Sequence, residues 1–158
     1  MNEHVGFLFT IRPDKPIDKP RLSVKWTGGS VGSESIAVEL ARVHPVHVDR
    51  FPGWHIRSIP PSRRDHDPLD VLVPLAAPKG GMPARLEAGV EYVFWAEMMA
   101  AKGTVARTYH VPLVLESAGQ SLGTLNVKLE VWPMVLPEES ELMAIGEVDH
   151  LGLFRHHL

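Results

Sequence analysis

The chain contains no cysteine, which excludes disulfides, thiolate metal sites and a cysteine nucleophile. No apolar run is long enough to cross a bilayer as a helix, so no membrane partner is expected. The first residues, Met1–Asn2–Glu3–His4, lack the basic and apolar regions of a secretory signal; a parent protein working outside the cell would carry its signal elsewhere. A basic surplus is missing too. Sixteen Lys/Arg against 19 Asp/Glu give a formal charge of −3, which argues against nucleic acid as a partner. Long helical periodicity is absent, as are internal repeats, GxSxG and HExxH. No cofactor and no metal site is expected.

The 158 residues suit one domain, and 44% apolar with 22% charged residues is ordinary for a globular protein. Charge is uneven along the chain. Residues 1–85 carry 12 Lys/Arg and 9 Asp/Glu, whereas residues 86–158 carry 4 and 10. The acidic excess gathers at Glu138, Glu139, Glu141, Glu147 and Asp149, and a solvated connector is its simplest reading.

Fourteen prolines and 13 glycines cut the sequence into short pieces, and several of these alternate apolar and polar residues in the period of a strand. Val5, Phe7, Phe9 and Ile11 alternate in the first; Leu22, Val24 and Trp26 in the second. Ile36, Val38 and Leu40 open a third, which continues irregularly beyond a break at Pro45. Leu69–Val73 is a short strand stopped by Pro74. The run Val90–Met98 is apolar on both sides and predicts a central strand covered on both faces. Tyr109, Val111, Leu113 and Leu115 alternate next, and Gly119–Gln120–Ser121 reads as a hairpin turn into a closing strand over Leu122–Trp132. One helical segment is expected at Glu138–Ile145, with acidic residues at its start.

These elements predict an all-β fold, an antiparallel β-sandwich of immunoglobulin-like or jelly-roll-like kind, with a C-terminal extension. The expected domain spans residues 1–137, and residues 138–158 form an acidic connector toward a further C-terminal domain. Pro133 and Pro137 cannot donate to a sheet ladder, so pairing stops near Trp132 and the chain leaves the sheet there. Trp132, Pro133, Leu136 and Pro137 are therefore the expected contacts to that following domain. Trp26, Trp95 and Trp132 are expected to fill the core or this inter-domain face, and a core Trp132 would cost about 3–5 kcal/mol on truncation to alanine.

Candidate chemistry lies mainly in the long irregular section Asp49–Asp67. Pro52–Gly53–Trp54–His55 reads as an exposed turn, so Trp54, His55 and Arg57 could offer an indole face and polar groups to a sugar ring. Nine histidines are present, yet their spacing forms no chelate: His44 and His47 point to opposite faces of a regular strand, and His55 and His66 lie with Asp65, Asp67 and Asp70 in or beside the loop. Glycoside hydrolysis needs two carboxyls facing each other across a sugar, one with a raised pKa. Glu138, Glu139 and Glu141 are adjacent and solvated instead, and Arg63 and Arg64 stand beside Asp65 and Asp67. No catalytic residue is expected in this chain.

Several segments occur in a familiar order. Glu3 precedes Val5–Phe9; Asp67–Pro68–Leu69 is followed by Val73–Pro74–Leu75; Tyr92–Val93–Phe94–Trp95 makes an aromatic strand; Val131–Trp132 runs into Leu136–Pro137. Over roughly residues 35–145 this resembles the β-sandwich domain that precedes the barrel in a group of glycoside-hydrolase-like bacterial proteins, known mainly as domains of unknown function. The chain departs from that pattern at Ala101–Lys102–Gly103–Thr104, where a lysine–proline–glycine–threonine–tyrosine turn is usual and where Tyr109 follows five residues later. The resemblance implies a non-catalytic accessory domain that packs against a following barrel and orients it, with the sugar-cleaving carboxylates in that barrel. Two alternatives stand beside it: a carbohydrate-binding module, and a stand-alone domain that self-associates through exposed apolar strands.

Overall fold

The computed structural model describes residues 4–26, 35–46 and 67–134. Among them run nine strands: β1 (His4–Ile11), β2 (Ile17–Asp18), β3 (Arg21–Val24), β4 (Ile36–Pro45), β5 (Leu69–Pro74), β6 (Arg85–Leu86), β7 (Tyr92–Ala100), β8 (Thr108–Ser117) and β9 (Gln120–Glu130). They pair as a four-stranded sheet in the order β1-β7-β4-β5, a three-stranded sheet β3-β8-β9 and a two-stranded ribbon β2-β6. Every pairing is antiparallel. The described residues contain no helix. The fold is the expected all-β sandwich, with both sheets open at their edges. The expected helix at Glu138–Ile145 and most of the Asp49–Asp67 loop lie outside the described residues.

Period-two patterning decides which side chains meet. In β7, Tyr92, Phe94, Ala96, Met98 and Ala100 are buried, while the residues between them are half-buried. The alternation is clean, although the composition suggested two equally covered faces. The inward row of β7 packs with Ile36 of β4 against Tyr109, Val111 and Leu113 of β8 and Val131. This is the main core between the sheets. A second cluster closes one end of the sandwich, where Leu86 of the β2-β6 ribbon is fully buried with Leu22, Tyr92 and Phe94. Phe9 and Phe94 stack there at 5.7 Å between ring centroids, and the Tyr92 hydroxyl accepts a hydrogen bond from Glu87 N–H at 2.9 Å. The strands β2 and β6 escape a pattern-based reading because two residues each are too few to show a period.

Turn chemistry explains several boundaries. The β8-β9 hairpin closes through Ala118 and Gly119, at φ of 49° and 80°; two successive positive φ values suit a two-residue turn whose twist matches its strands. Ser117 pairs with Gln120, so the turn falls one residue earlier than Gly119–Gln120–Ser121. A register shift between Leu115 and Glu116 leaves Leu122 with no counterpart on β8. Between β7 and β8, Thr104 N–H donates to the Ala101 carbonyl at 3.1 Å. The buried Thr104 hydroxyl donates to the same carbonyl at 2.6 Å, and Gly103 supplies a φ of 89°. A tight turn thus forms without proline. Farther on, Tyr109 O–H donates to the Val105 carbonyl at 2.8 Å, the kind of hydroxyl-to-backbone tie that pins a tyrosine corner in Greek-key sandwiches.

Prolines act as expected at two places. The register of β4 against β5 shifts between His44 and Pro45, the break foreseen there. Pro74 is the last residue of β5, an edge strand, where a missing N–H is tolerated. The second predicted strand is shorter than its pattern: β3 ends at Val24, and Trp26 packs half-buried on the main core from beyond it.

The closing strand differs from its expected extent. β9 runs Gln120–Glu130, and Val131 follows, 7% exposed, with its N–H on the Arg107 carbonyl at 2.9 Å. Trp132 is then 60% exposed, which excludes the core, one of the two places expected for it. Leu125 shares the inward face of β9 yet is 43% exposed, because the core cluster meets that strand only from Val127 onward.

Candidate functional site

The outward face of the four-stranded sheet brings together residues from three strands. The ladders align Gly6 with Glu97 and Glu97 with Glu39; in the next row Leu8 faces Trp95 and Trp95 faces Ala41. Glu97 therefore stands in the middle of the sheet with a second carboxylate beside it. Directly opposed residues of this kind have Cβ atoms about 4.5–5.5 Å apart, and like charges there repel. His4 offsets part of that repulsion. Its Nδ1 lies 2.6 Å from Glu97 Oε1, and since a carboxylate only accepts, Nδ1 is the donor.

Trp95 covers the neighbouring strand. Its indole rests over Gly6 so closely that a Cβ at position 6 would come within 2.0 Å of Cζ2 and 2.6 Å of Cε2. Gly6 is required here to let the ring lie down on the β1 backbone. The indole is half-buried; its Nε1 is enclosed and has no hydrogen-bond partner among the described residues. Leu8, 55% exposed, extends the apolar surface beside it. The result is an indole plate bordered by Glu39, Glu97 and His4. An apolar ring face with hydrogen-bond acceptors at its rim can stack against a sugar ring and accept from its hydroxyls. The two carboxylates stand side by side on an open sheet face, not opposed across a bound substrate as glycoside hydrolysis requires.

Two clefts mark the open sides of the sandwich. One, between β1 and β9, has a volume of about 340 Å³ and is lined by Phe9, Ile11, Leu113, Gly123 and Leu125. The other lies toward β3 and β4, where Leu22, Val24 and Leu40 line it together with Glu39, Trp95 and Glu97 of the indole plate.

Of the residues singled out by sequence, Trp54, His55 and Arg57 lie outside the described residues, as do Leu136 and Pro137. Trp132 and Pro133 are described and exposed. His44 has a structural partner, its Nε2 donating to the Gly80 carbonyl, while His47, His55, His66 and Asp65 are outside the described residues. The described residues hold no cluster of three or more metal-ligating side chains. Sequence reasoning missed His4, Glu39, Trp95 and Glu97 as a group. His4 and Glu39 sat at ordinary outward positions of alternating strands and Glu97 in a run read as covered on both faces, and only the β1-β7-β4 pairing joins them.

No protein-family model matches this chain, and no curated protein matches it either.

Proposed function

We propose that this chain is a non-catalytic accessory β-sandwich of a larger glycoside-hydrolase-like protein, packing against a following barrel and orienting it. The observation that carries this reading is the exit from β9. Val131 is locked into the core, and the next residue, Trp132, turns a large indole outward, 60% exposed. Truncating the ladder with Pro133 stiffens this exit. An indole placed beside a stiff exit is suited to anchor an inter-domain contact. The test compares residues 1–158 with a polypeptide extended by whatever coding sequence follows Leu158, using collisional quenching and Trp132→Phe to isolate the Trp132 signal. Trp132 should be quencher-accessible in the short chain and shielded in the long one. Equal accessibility in both, or a stop codon directly after Leu158, overturns the reading.

A second reading, carbohydrate binding, is favoured by the Trp95 plate with its bordering carboxylates. Titrating a panel of oligosaccharides should then change tryptophan emission, and Glu39→Gln with Glu97→Gln should remove the response. A response lost instead in Trp54→Ala would move binding to the Trp54, His55 and Arg57 turn. Silence across the panel removes the reading.

A further inference from the structure

We propose that two copies of this chain pair through the free edge of β9, antiparallel and about a two-fold axis at Leu129. Among the described strands β9 is the outermost of its sheet, and its free backbone groups can be assigned. The Pro112 carbonyl accepts from Lys25 N–H on the β3 side, so the even-numbered residues of β8 direct their backbone toward β3 and the odd-numbered ones toward β9. Val131 N–H donating to the Arg107 carbonyl fits the same phase. On β9, then, Val127, Leu129 and Val131 bond to β8, while Asn126, Lys128 and Glu130 present N–H and C=O groups at the open edge.

The side chains on that edge are self-complementary. Lys128 and Glu130 sit two residues apart on the solvent face, opposite His110 and Thr108, and neither makes an ion pair among the described residues. A two-fold axis at Leu129 sets each Lys128 against Glu130 of the second copy, in a position where the two residues exchange both backbone hydrogen bonds. Inward-facing Leu129 meets its own symmetry mate, and Val127 meets Val131. The same patch on both copies is the condition for a closed dimer rather than an open chain. A charge pattern that matches itself in only one register selects that register over slipped ones. The free edge of β1 offers a contrast: from Val5 to Ile11 it carries no ionisable side chain, so it has nothing to set register or partner.

Lys128→Glu and Glu130→Lys test the pairing. Each variant places like charges opposite each other in its own dimer, and mixing the two restores both opposite-charge contacts. Light scattering over a concentration series should show a dimer for the natural sequence and an association weakened by about tenfold or more in either variant alone. The mixture should recover the natural mass, and so should the double variant K128E/E130K. Circular dichroism checks that each variant keeps its sheets. A natural sequence that stays monomeric, a dimer indifferent to both variants, or a mixture that fails to recover each overturns the proposal; indifference would point to the β1 edge instead.

Discussion

Strands β7 and β9 are both long, at nine and eleven residues, and each has a tryptophan within it or just beyond. In the fold they part ways. β7 is flanked by β1 and β4; its inward residues are all buried, and Trp95 on its outward face is half-buried against Gly6. Among the described strands β9 has only β8 beside it, and Leu122, Leu125 and Trp132 stay largely exposed. Burial therefore follows from how many neighbours a strand has and how far the opposite sheet reaches. The alternation itself says only which residues share a face. A central strand invests its apolar residues in stability, and an edge strand keeps some of them available for contacts with other chains or domains.

Substitutions can test this contrast, and the largest effect is expected at the centre. Phe94 is fully buried and stacked on Phe9, so Phe94→Ala should lose about 3–5 kcal/mol in chemical denaturation. Should the loss stay below about 1 kcal/mol, β7 would not be the core strand. Gly6→Ala comes next. The new Cβ would meet the indole of Trp95, and moving that ring should cost about 1–3 kcal/mol, accompanied by a shift in Trp95 emission. An unchanged emission spectrum would mean that the ring does not rest on β1.

On β9 the expected effects are smaller, and one has the opposite sign. A Cβ at Gly123 would meet nothing within 4 Å, beside the apolar cleft of Phe9, Ile11 and Leu125. Gly123→Val should stabilise by about 0.5–1 kcal/mol, through lower unfolded-state entropy and better strand propensity; a loss of stability would mean that the cleft is closed in solution. Trp132→Ala should change the stability of the isolated chain by less than about 0.5 kcal/mol, as for other exposed positions. A loss of several kcal/mol would place Trp132 in the core and erase the contrast with Trp95.

Much of the fold was legible in advance. Val5–Ile11, Tyr109–Leu115 and Leu125–Val131 each carry enough alternating residues to identify a strand and its inward face, and Pro45 and Pro74 mark a bulge and a strand end. The site was barely legible. Glu39 and Glu97 are far apart in sequence; Glu39 stands where a solvent-facing polar residue needs no explanation, and Glu97 stands in a run whose composition suggested two covered faces. Nothing in the sequence ties Gly6 to Trp95, whose ring lies on it. Trp132 had two expected places, the core or an inter-domain face, and the structure decides against the core: the ladder makes its last backbone bond at Val131 and the next side chain turns outward.

What the sequence determined by itself was local: the pleat's period of two assigns side chains to faces, and proline and positive-φ glycine set where strands stop and turn. Those rules act between near neighbours along the chain, so they can be read without a fold. That β1 and β4 are the strands flanking β7, which edge stays open, and that Glu39, Glu97, His4 and Trp95 share one surface were decided only in three dimensions. Strand order depends on contacts between segments distant in sequence, and no local pattern encodes it.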